Sequence, residues 1–167
     1  APWRQFMFES LLGTPQVVRS ILTIFDAHPK VGIVAVQHFE PVRRWLGWGR
    51  NFACSQLLAR RMGFKLDPDR PLDFPSGSMF WVRSASLEPL LKLELQVEDF
   101  DPVQGQQDGT LAHAIEHLFF HVCEHAGYEW LKVGRPEFYS STFDFESPSN
   151  HPALGSWMRK HRYTVLP

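Results

Sequence analysis

Between residues 105 and 125 the chain reads Gly-Gln-Gln-Asp-Gly-Thr-Leu-Ala-His-Ala-Ile-Glu-His-Leu-Phe-Phe-His-Val-Cys-Glu-His, and no other stretch gathers as many groups that do chemistry. A carboxylate, Asp108, stands where a helix would begin, and four of the eight histidines, His113, His117, His121 and His125, follow at steps of four. With Gly109 and Thr110 behind it, Asp108 can cap that helix by accepting backbone N–H groups. The functional alternative is a general base at the mouth of a cleft, where Gly109 lets a substrate approach the backbone. A carboxylate at the positive end of a helix has its pKa lowered, so it would be ionised at neutral pH, as a base must be.

Imidazoles at i and i+4 can chelate zinc, and Glu116 precedes His117 in a way that invites comparison with metalloprotease helices. Those helices carry Glu directly after the first His, whereas Ala114 occupies that place here. Steps of four residues advance about 400° around a helix, so each ring drifts about 40° and the four spread over roughly 120°. Leu111, Ile115, Leu118, Phe119 and Val122 occupy another arc, which reads as the buried stripe. The expected outcome is a solvated, histidine-rich face with adventitious nickel or zinc binding, and no metal ligands are assigned. His121 and His125 are expected at the surface.

The elements that must hold this helix alternate in period, as an α/β arrangement requires. Thr14 and Pro15 start a helix with Val18, Ile21, Leu22 and Phe25 on one face, ending near His28-Pro29. Val31 to Val36 then reads as a strand buried on both faces. Asn51 caps a helix that runs to Gly63, with Arg60 and Arg61 in its last turn. Residues 67 to 75, rich in Pro, form a loop, followed by a strand from Ser78 to Arg83 and a short helix from Ser84 over Leu87, Leu90 and Leu91. A helix from about Thr110 to Ala126 and a strand from Tyr128 to Val133 complete the regular part, and 134–167 reads as a loop-rich extension. Leu93 to Val97 also alternates like a strand and runs into Glu98-Asp-Phe-Asp101. An Asp-x-Asp after a strand is a way to hold a divalent metal against a diphosphate, although a solvated acidic loop fits Asp99 and Asp101 better.

Composition limits the classes. The chain is 44% apolar and 14% aromatic with formal charge −1, which predicts a packed core and excludes a nucleic-acid coat. Cys54 and Cys123 are far apart and outside any Cys-x-x-Cys spacing, so two reduced, buried thiols are expected. No run of 18 apolar residues occurs, and Ala1-Pro-Trp-Arg-Gln lacks the order of a signal peptide, so a soluble chain is expected. Its start without Met suggests a processed product or an excised piece.

Two motifs carry a resemblance. Asp73-Phe-Pro-Ser-Gly-Ser-Met-Phe-Trp-Val-Arg83 and Gly105-Gln-Gln-Asp-Gly-Thr-Leu-Ala-His-Ala-Ile-Glu116 together resemble the paired signature of the rhamnan synthesis protein F family. Trp3-Arg, Leu11-Leu-Gly, the Val31 to Val36 strand and Trp48-Gly-Arg-Asn51 extend the similarity over residues 1 to 133. Members are glycosyltransferases of bacterial surface polysaccharide assembly, similar to GT-A transferases. The resemblance therefore implies a partial GT-A-like, Rossmann-like α/β domain: a small mixed sheet flanked by helices, corresponding to the acceptor side. The donor-binding half, with its nucleotide site and a divalent metal (Mg or Mn), would lie in the parent protein, and no cofactor is assigned to this chain itself. On this comparison Asp99 to Asp101 falls in the wrong place for the donor's metal.

By the same resemblance Asp108 would take the proton of the acceptor hydroxyl, with His113 and Glu116 flanking it. Ser76, Gly77, Ser78, Gly109 and Thr110 would approach the substrate, and Trp81 would stack on a sugar face. Val103 and Gln104 stand where the family usually has an acidic residue, and His117 where an Arg often follows the Ala-His-Ala-Ile-Glu run. Such a His neutralises phosphate only when protonated. The implied partners are a nucleotide-sugar donor and a glycan acceptor, without nucleic acid or transmembrane segment. The implied location is the cytoplasm, at the inner membrane face if the parent associates peripherally. The competing classes are a non-catalytic carbohydrate- or partner-binding module using Trp45, Trp48 and Trp81, and a histidine-based metal protein.

Overall fold

Val31–Val36 forms strand β1, and all six of its residues are buried. A strand buried on both faces needs a layer on each side, and the rest of the chain supplies the two layers. The structure, a computed structural model, describes residues 2–102, 105 and 108–134. The expected loop-rich extension lies outside the described residues except for Gly134, as do Val103 and Gln104.

One face of the sheet is covered by α1 (Pro2–Leu12) and α2 (Pro15–Ala27). Phe6, Met7 and Leu11 of α1 and Val17, Ile21 and Ile24 of α2 pack on Val31, Val34 and Val36 of β1, with Leu131 and Val133 beside them. Thr14 caps α2 as its sequence predicts, its side chain accepting from the Val17 N–H at 3.2 Å. The buried stripe is rotated from the expected one: Val17, Ile21 and Ile24 face inward, while Leu22 is 46% exposed. Several apolar faces were open to this helix, and contact with α1 selects among them.

After β1 come a 3-10 turn at Glu40–Trp45, α3 (Phe52–Arg61), β2 (Phe80–Val82) and a short 3-10 and α turn ending in α4 (Glu88–Leu91). The chain finishes with α5 (Leu111–His125) and β3 (Glu129–Val133). Sheet order is β2-β1-β3, with β2 antiparallel and β3 parallel to β1. This is a mixed α/β domain with a small mixed sheet flanked by helices. Two expected strands change. β2 is shorter than Ser78 to Arg83 because Ser78 turns at φ 52, its N–H donating to the Pro75 carbonyl. Leu93 to Val97 forms no strand: Glu94 sits at φ 50, and a 3-10 turn, Val97–Asp99, follows directly. Alternation without a neighbouring edge to pair with does not make a strand.

The second layer is α5, held between the sheet and α3. Phe120 and Cys123 meet Ile33, Ala35 and Trp130, and the Phe120 and Trp130 rings stack with centroids 4.1 Å apart. Ala114, Leu118 and Val122 meet Leu58, Ala59 and Met62 of α3. Burial on two sides gives α5 a wider apolar arc than a surface helix needs. For that reason His117 and Ala114 are inside, whereas Leu111, Ile115 and Phe119 are only half-buried.

Gly32 shows how closely the layers approach. A Cβ there would lie 2.5 Å from the Ser86 Cβ, 2.7 Å from the Tyr128 Cβ and 2.8 Å from the Cys123 Sγ. Gly32→Ala therefore forces neighbouring elements apart, and urea unfolding is expected to register a loss of about 2 kcal/mol or more. An unchanged midpoint would mean that the sheet and its covering turn are not packed as described.

Candidate functional site

β1 and β3 run parallel, and their carboxyl ends open beside the amino end of α5. In open α/β sheets ligands bind outside such strand ends. Here the place is a cleft of about 760 Å³ walled by Trp3, Val42, Trp45, Leu46 and Phe74, with Asn51, Ser76, Asp108, His113, Glu116 and His117 supplying polar atoms.

Beneath the Phe74 and Ser76 side of the cleft runs a largely buried ionic chain. Asp73, on the loop before β2, accepts from His38 Nε2 at 2.9 Å through Oδ1 and from the Lys132 ammonium through Oδ2. His38 follows the end of β1 and Lys132 lies in β3, so one carboxylate ties both strand ends to the loop. Burial pushes the Asp73 carboxyl up, but the hydrogen bond from His38 and the Lys132 charge outweigh it and leave it below the usual range. Burial is also the main cause that lowers His38, more than Asp73 raises it, and Lys132 and Arg43 oppose a proton there too. The ring's other nitrogen, Nδ1, lies 3.1 Å from Ser76 Oγ.

On the opposite wall Asp108 is a clasp. Its Oδ2 accepts from Arg50 N–H at 2.8 Å and its Oδ1 from Gly109 N–H at 2.9 Å, while Arg50 Nη2 donates to its carbonyl at 3.3 Å. Asn51, expected to cap α3, makes no side-chain cap; its Oδ1 accepts from Gly109 N–H at 2.8 Å. Nor does Asp108 cap α5. Thr110 holds that position with its side chain accepting from His113 N–H, and Asp101 accepts from Leu111 N–H at 2.9 Å. The helix begins one residue later than expected, at Leu111. Burial raises the Asp108 carboxyl, but the hydrogen bonds from Arg50, Gly109 and Asn51 and the Arg50 charge more than offset this, so it lies below its ordinary value. The expected direction holds, although its cause is local N–H donation rather than the helix end. Gly49, at φ 51, allows this approach: a Cβ there would sit 2.3 Å from Asp108 Oδ2.

Between the ionic chain and the clasp stands Glu116. Its Oε1 accepts from Gly77 N–H at 2.6 Å, and burial holds its carboxyl above the usual range despite hydrogen bonds from Gly77 and Ser78. His113 Nδ1 lies 2.6 Å from Thr110 Oγ1. His117 packs against Phe74 at 4.3 Å and Trp48 at 5.8 Å, and burial lowers its pKa to about 4. It is therefore neutral near pH 7 and cannot neutralise phosphate. Its Nδ1 has no hydrogen-bond partner among the described residues.

Of the residues singled out by sequence, Ser76, Gly77, Asp108, His113 and Glu116 share this cleft. Ser78, Gly109 and Thr110 do not line it; they build the turns behind it. Trp81 is no platform here: its Nε1 donates to the Leu11 carbonyl at 3.2 Å, and its ring packs on the α1–α2 side of the sheet. Trp48 is tied into the interior, edge-on to Phe52 and stacked on His121, while Trp45 remains 74% exposed at the cleft. The histidine face is not solvated as expected: His117 is buried and His121 half-buried, and only His125 is exposed. Asp99 accepts from Gln96 N–H, so Asp99 and Asp101 serve separate caps rather than one ion. No group of three or more His, Cys, Asp or Glu could hold a metal ion among the described residues. His38, Lys132, Trp3 and Phe74 escaped sequence reading. Asp73 and Ser76 in one motif were a signal, but the partners lie 35 and 38 positions away.

Fold and site together define an α/β domain with an aromatic-walled, mainly apolar cleft at its parallel strand ends that carries a few polar groups. Residues 1–128 match the family described as Rhamnan synthesis protein F. Two curated relatives, both named "Uncharacterized protein WxcX", come from Xanthomonas campestris pv. campestris, strains B100 and ATCC 33913. They are 42% and 41% identical over 132 residues, covering 78% of this chain. The chain spans 18% of the length of those relatives. No solved structure gives a significant match. The chain thus belongs to the rhamnan synthesis protein F family, which ties it to polysaccharide synthesis. Among the described residues no helix is long and apolar enough to cross a membrane.

The burial of His117 has a measurable consequence. An unfolded histidine takes a proton near pH 6.5, whereas the folded one refuses it until about pH 4. Stability is therefore whole above pH 6.5 and falls as pH drops toward 4, by at most about 3 kcal/mol from this residue. His117→Gln should shrink the loss seen by urea unfolding between neutral and acid pH, leaving the parts that His38 and His121, lowered by burial, and the depressed carboxylates of Asp73, Asp108 and Glu124 contribute in the same direction. A variant that loses as much on acidification as the unmodified chain would contradict the burial of a neutral ring.

Proposed function

We propose that the chain is the acceptor-side part of a longer glycosyltransferase that moves rhamnose or a related deoxysugar from a nucleotide-sugar to a growing surface polysaccharide. The observation that carries this reading is Asp108: a carboxylate kept ionised by N–H donors on the wall of an aromatic-sided cleft, in a chain of a polysaccharide-synthesis family. Aromatic walls suit the C–H faces of sugars, and the polar atoms between them suit hydroxyls.

In the reaction the acceptor hydroxyl oxygen attacks the anomeric carbon of the donor sugar. Its proton passes to Asp108, and the bond to the nucleoside diphosphate breaks with its electron pair leaving on phosphate. Glu116 and His113 sit within the same cleft and orient the acceptor. The turn at Ser76-Gly77, held by Glu116, fixes the facing wall. A divalent metal belongs in this reading to the donor half of the longer protein, which works at the inner face of the membrane; Asp99 and Asp101, committed to caps, do not fit one.

Asp108→Asn in a full-length protein containing this chain should lower kcat by about 100- to 10,000-fold. The melting temperature should move by only a few degrees, because Asn keeps one of the two acceptors of the clasp. A variant that melts far earlier but turns over normally per folded molecule would make Asp108 a clasp and nothing more. The 167 residues alone are expected to release no nucleoside diphosphate from nucleotide-sugars; steady release by the purified chain would overturn the division of labour.

A further inference from the structure

The hydrogen-bonded chain under the cleft has a proton order, and that order decides what Ser76 can recognise. Asp73 is paired with Lys132 and held ionised, so both its oxygens accept. His38 is 4% exposed, and Lys132 and Arg43 disfavour a second proton on its ring. It is therefore neutral, and its one N–H must be the Nε2–H that Asp73 receives at 2.9 Å. Nδ1 is left with a lone pair 3.1 Å from Ser76 Oγ, and only the serine hydroxyl can supply the proton between them. The hydroxyl's single donor is spent on the protein side, and what Ser76 turns to the cleft is a lone pair.

A Ser-His-Asp alignment also suggests a nucleophile. Acyl transfer needs N–H donors beside the serine for the oxyanion. The nearest, Gly77 N–H, is already given to Glu116, whose carboxylate would stand where the oxyanion forms. The arrangement disfavours that chemistry and favours recognition.

We propose that Ser76 is a specificity-determining acceptor: through the Lys132–Asp73–His38 chain it is fixed to receive a hydrogen bond from a hydroxyl of a neutral sugar, and it rejects phosphate oxygens. Its neighbours agree, since Asp108 and Glu116 are also acceptors and Gly77 N–H is taken. The inference rests on the sugar-transfer reading and narrows it: this cleft takes the hydroxyl-bearing glycan and not the diphosphate of the donor.

Long-range nitrogen–proton NMR on the unmodified chain near pH 7 reads the His38 tautomer without any ligand. The expected result is Nε2–H with an unprotonated Nδ1; an Nδ1–H or doubly protonated ring overturns the proposal and leaves the sugar reading standing. In parallel, a rhamnose trisaccharide and inorganic pyrophosphate are titrated against the unmodified chain and the Ser76→Ala and Ser76→Cys variants. The trisaccharide should bind the unmodified chain and lose about tenfold in affinity in both variants, as one removed hydrogen bond implies. Pyrophosphate should perturb no signal of residues 76 and 77. Equal trisaccharide binding by all three proteins removes the role of Ser76 while sparing the sugar reading. Pyrophosphate binding at Ser76, or no sugar binding by the unmodified chain, sinks the proposal; the second result also removes the reading beneath it.

Discussion

The Asp73 carboxylate binds together the parts on which the cleft depends. β1 and β3 are adjacent parallel strands, but their register alone does not hold the loop before β2 against their ends. Asp73 does so, by taking a proton-bearing nitrogen from each: His38 beyond β1 and Lys132 in β3. Lys132 is only 9% exposed, and a buried ammonium without a partner is strongly disfavoured, so loop and strand ends are obliged to meet. Ser76, Gly77 and Phe74 take their places in the cleft wall because they share that loop.

A second tie closes the other side. Asp108 and Asn51 exchange hydrogen bonds with Arg50 and Gly109 across 58 positions of sequence, joining the starts of α3 and α5. Each tie uses a carboxylate, yet their surroundings differ. Asp73 is answered by one cation, Lys132, and by the N–H of a neutral His38, and its side chain is 30% exposed, whereas Asp108 is answered mainly by backbone N–H groups at the solvent edge. The first arrangement builds structure, and the second leaves an ionised group where a ligand can reach it.

Much of the layering was legible because it rests on local signals. Thr14-Pro15 starts α2, an unbroken apolar run makes β1, and Gly63 ends α3 with φ 93. The errors share a cause. Asn51 and Asp108 each have the side chain of a helix cap and stand beside a helix start, but each turns to a partner far along the chain. His117 looked solvated because its helix was read as having one buried side, and α5 has two. Trp81 lies in a motif that reads as a sugar site, yet a strand has two faces, and its indole lies on the α1 side. Of the ionic chain under the cleft only Asp73, in its motif with Ser76, had a local signal; its partners His38 and Lys132 lie 35 and 59 positions away.

Membership in the rhamnan synthesis protein F family and a cleft whose polar groups are mostly acceptors are two separate observations, joined by the proposal of sugar transfer. The most direct test is an experimental structure of a full-length protein containing this chain, with nucleoside diphosphate and a rhamnose-containing glycan bound. The account predicts glycan in the cleft between Trp3 and Phe74, one hydroxyl within hydrogen-bond distance of Asp108, and the diphosphate held by another part of the protein. A cleft filled by the nucleotide, or sealed by a neighbouring domain with Asp108 out of reach of any sugar, would contradict it.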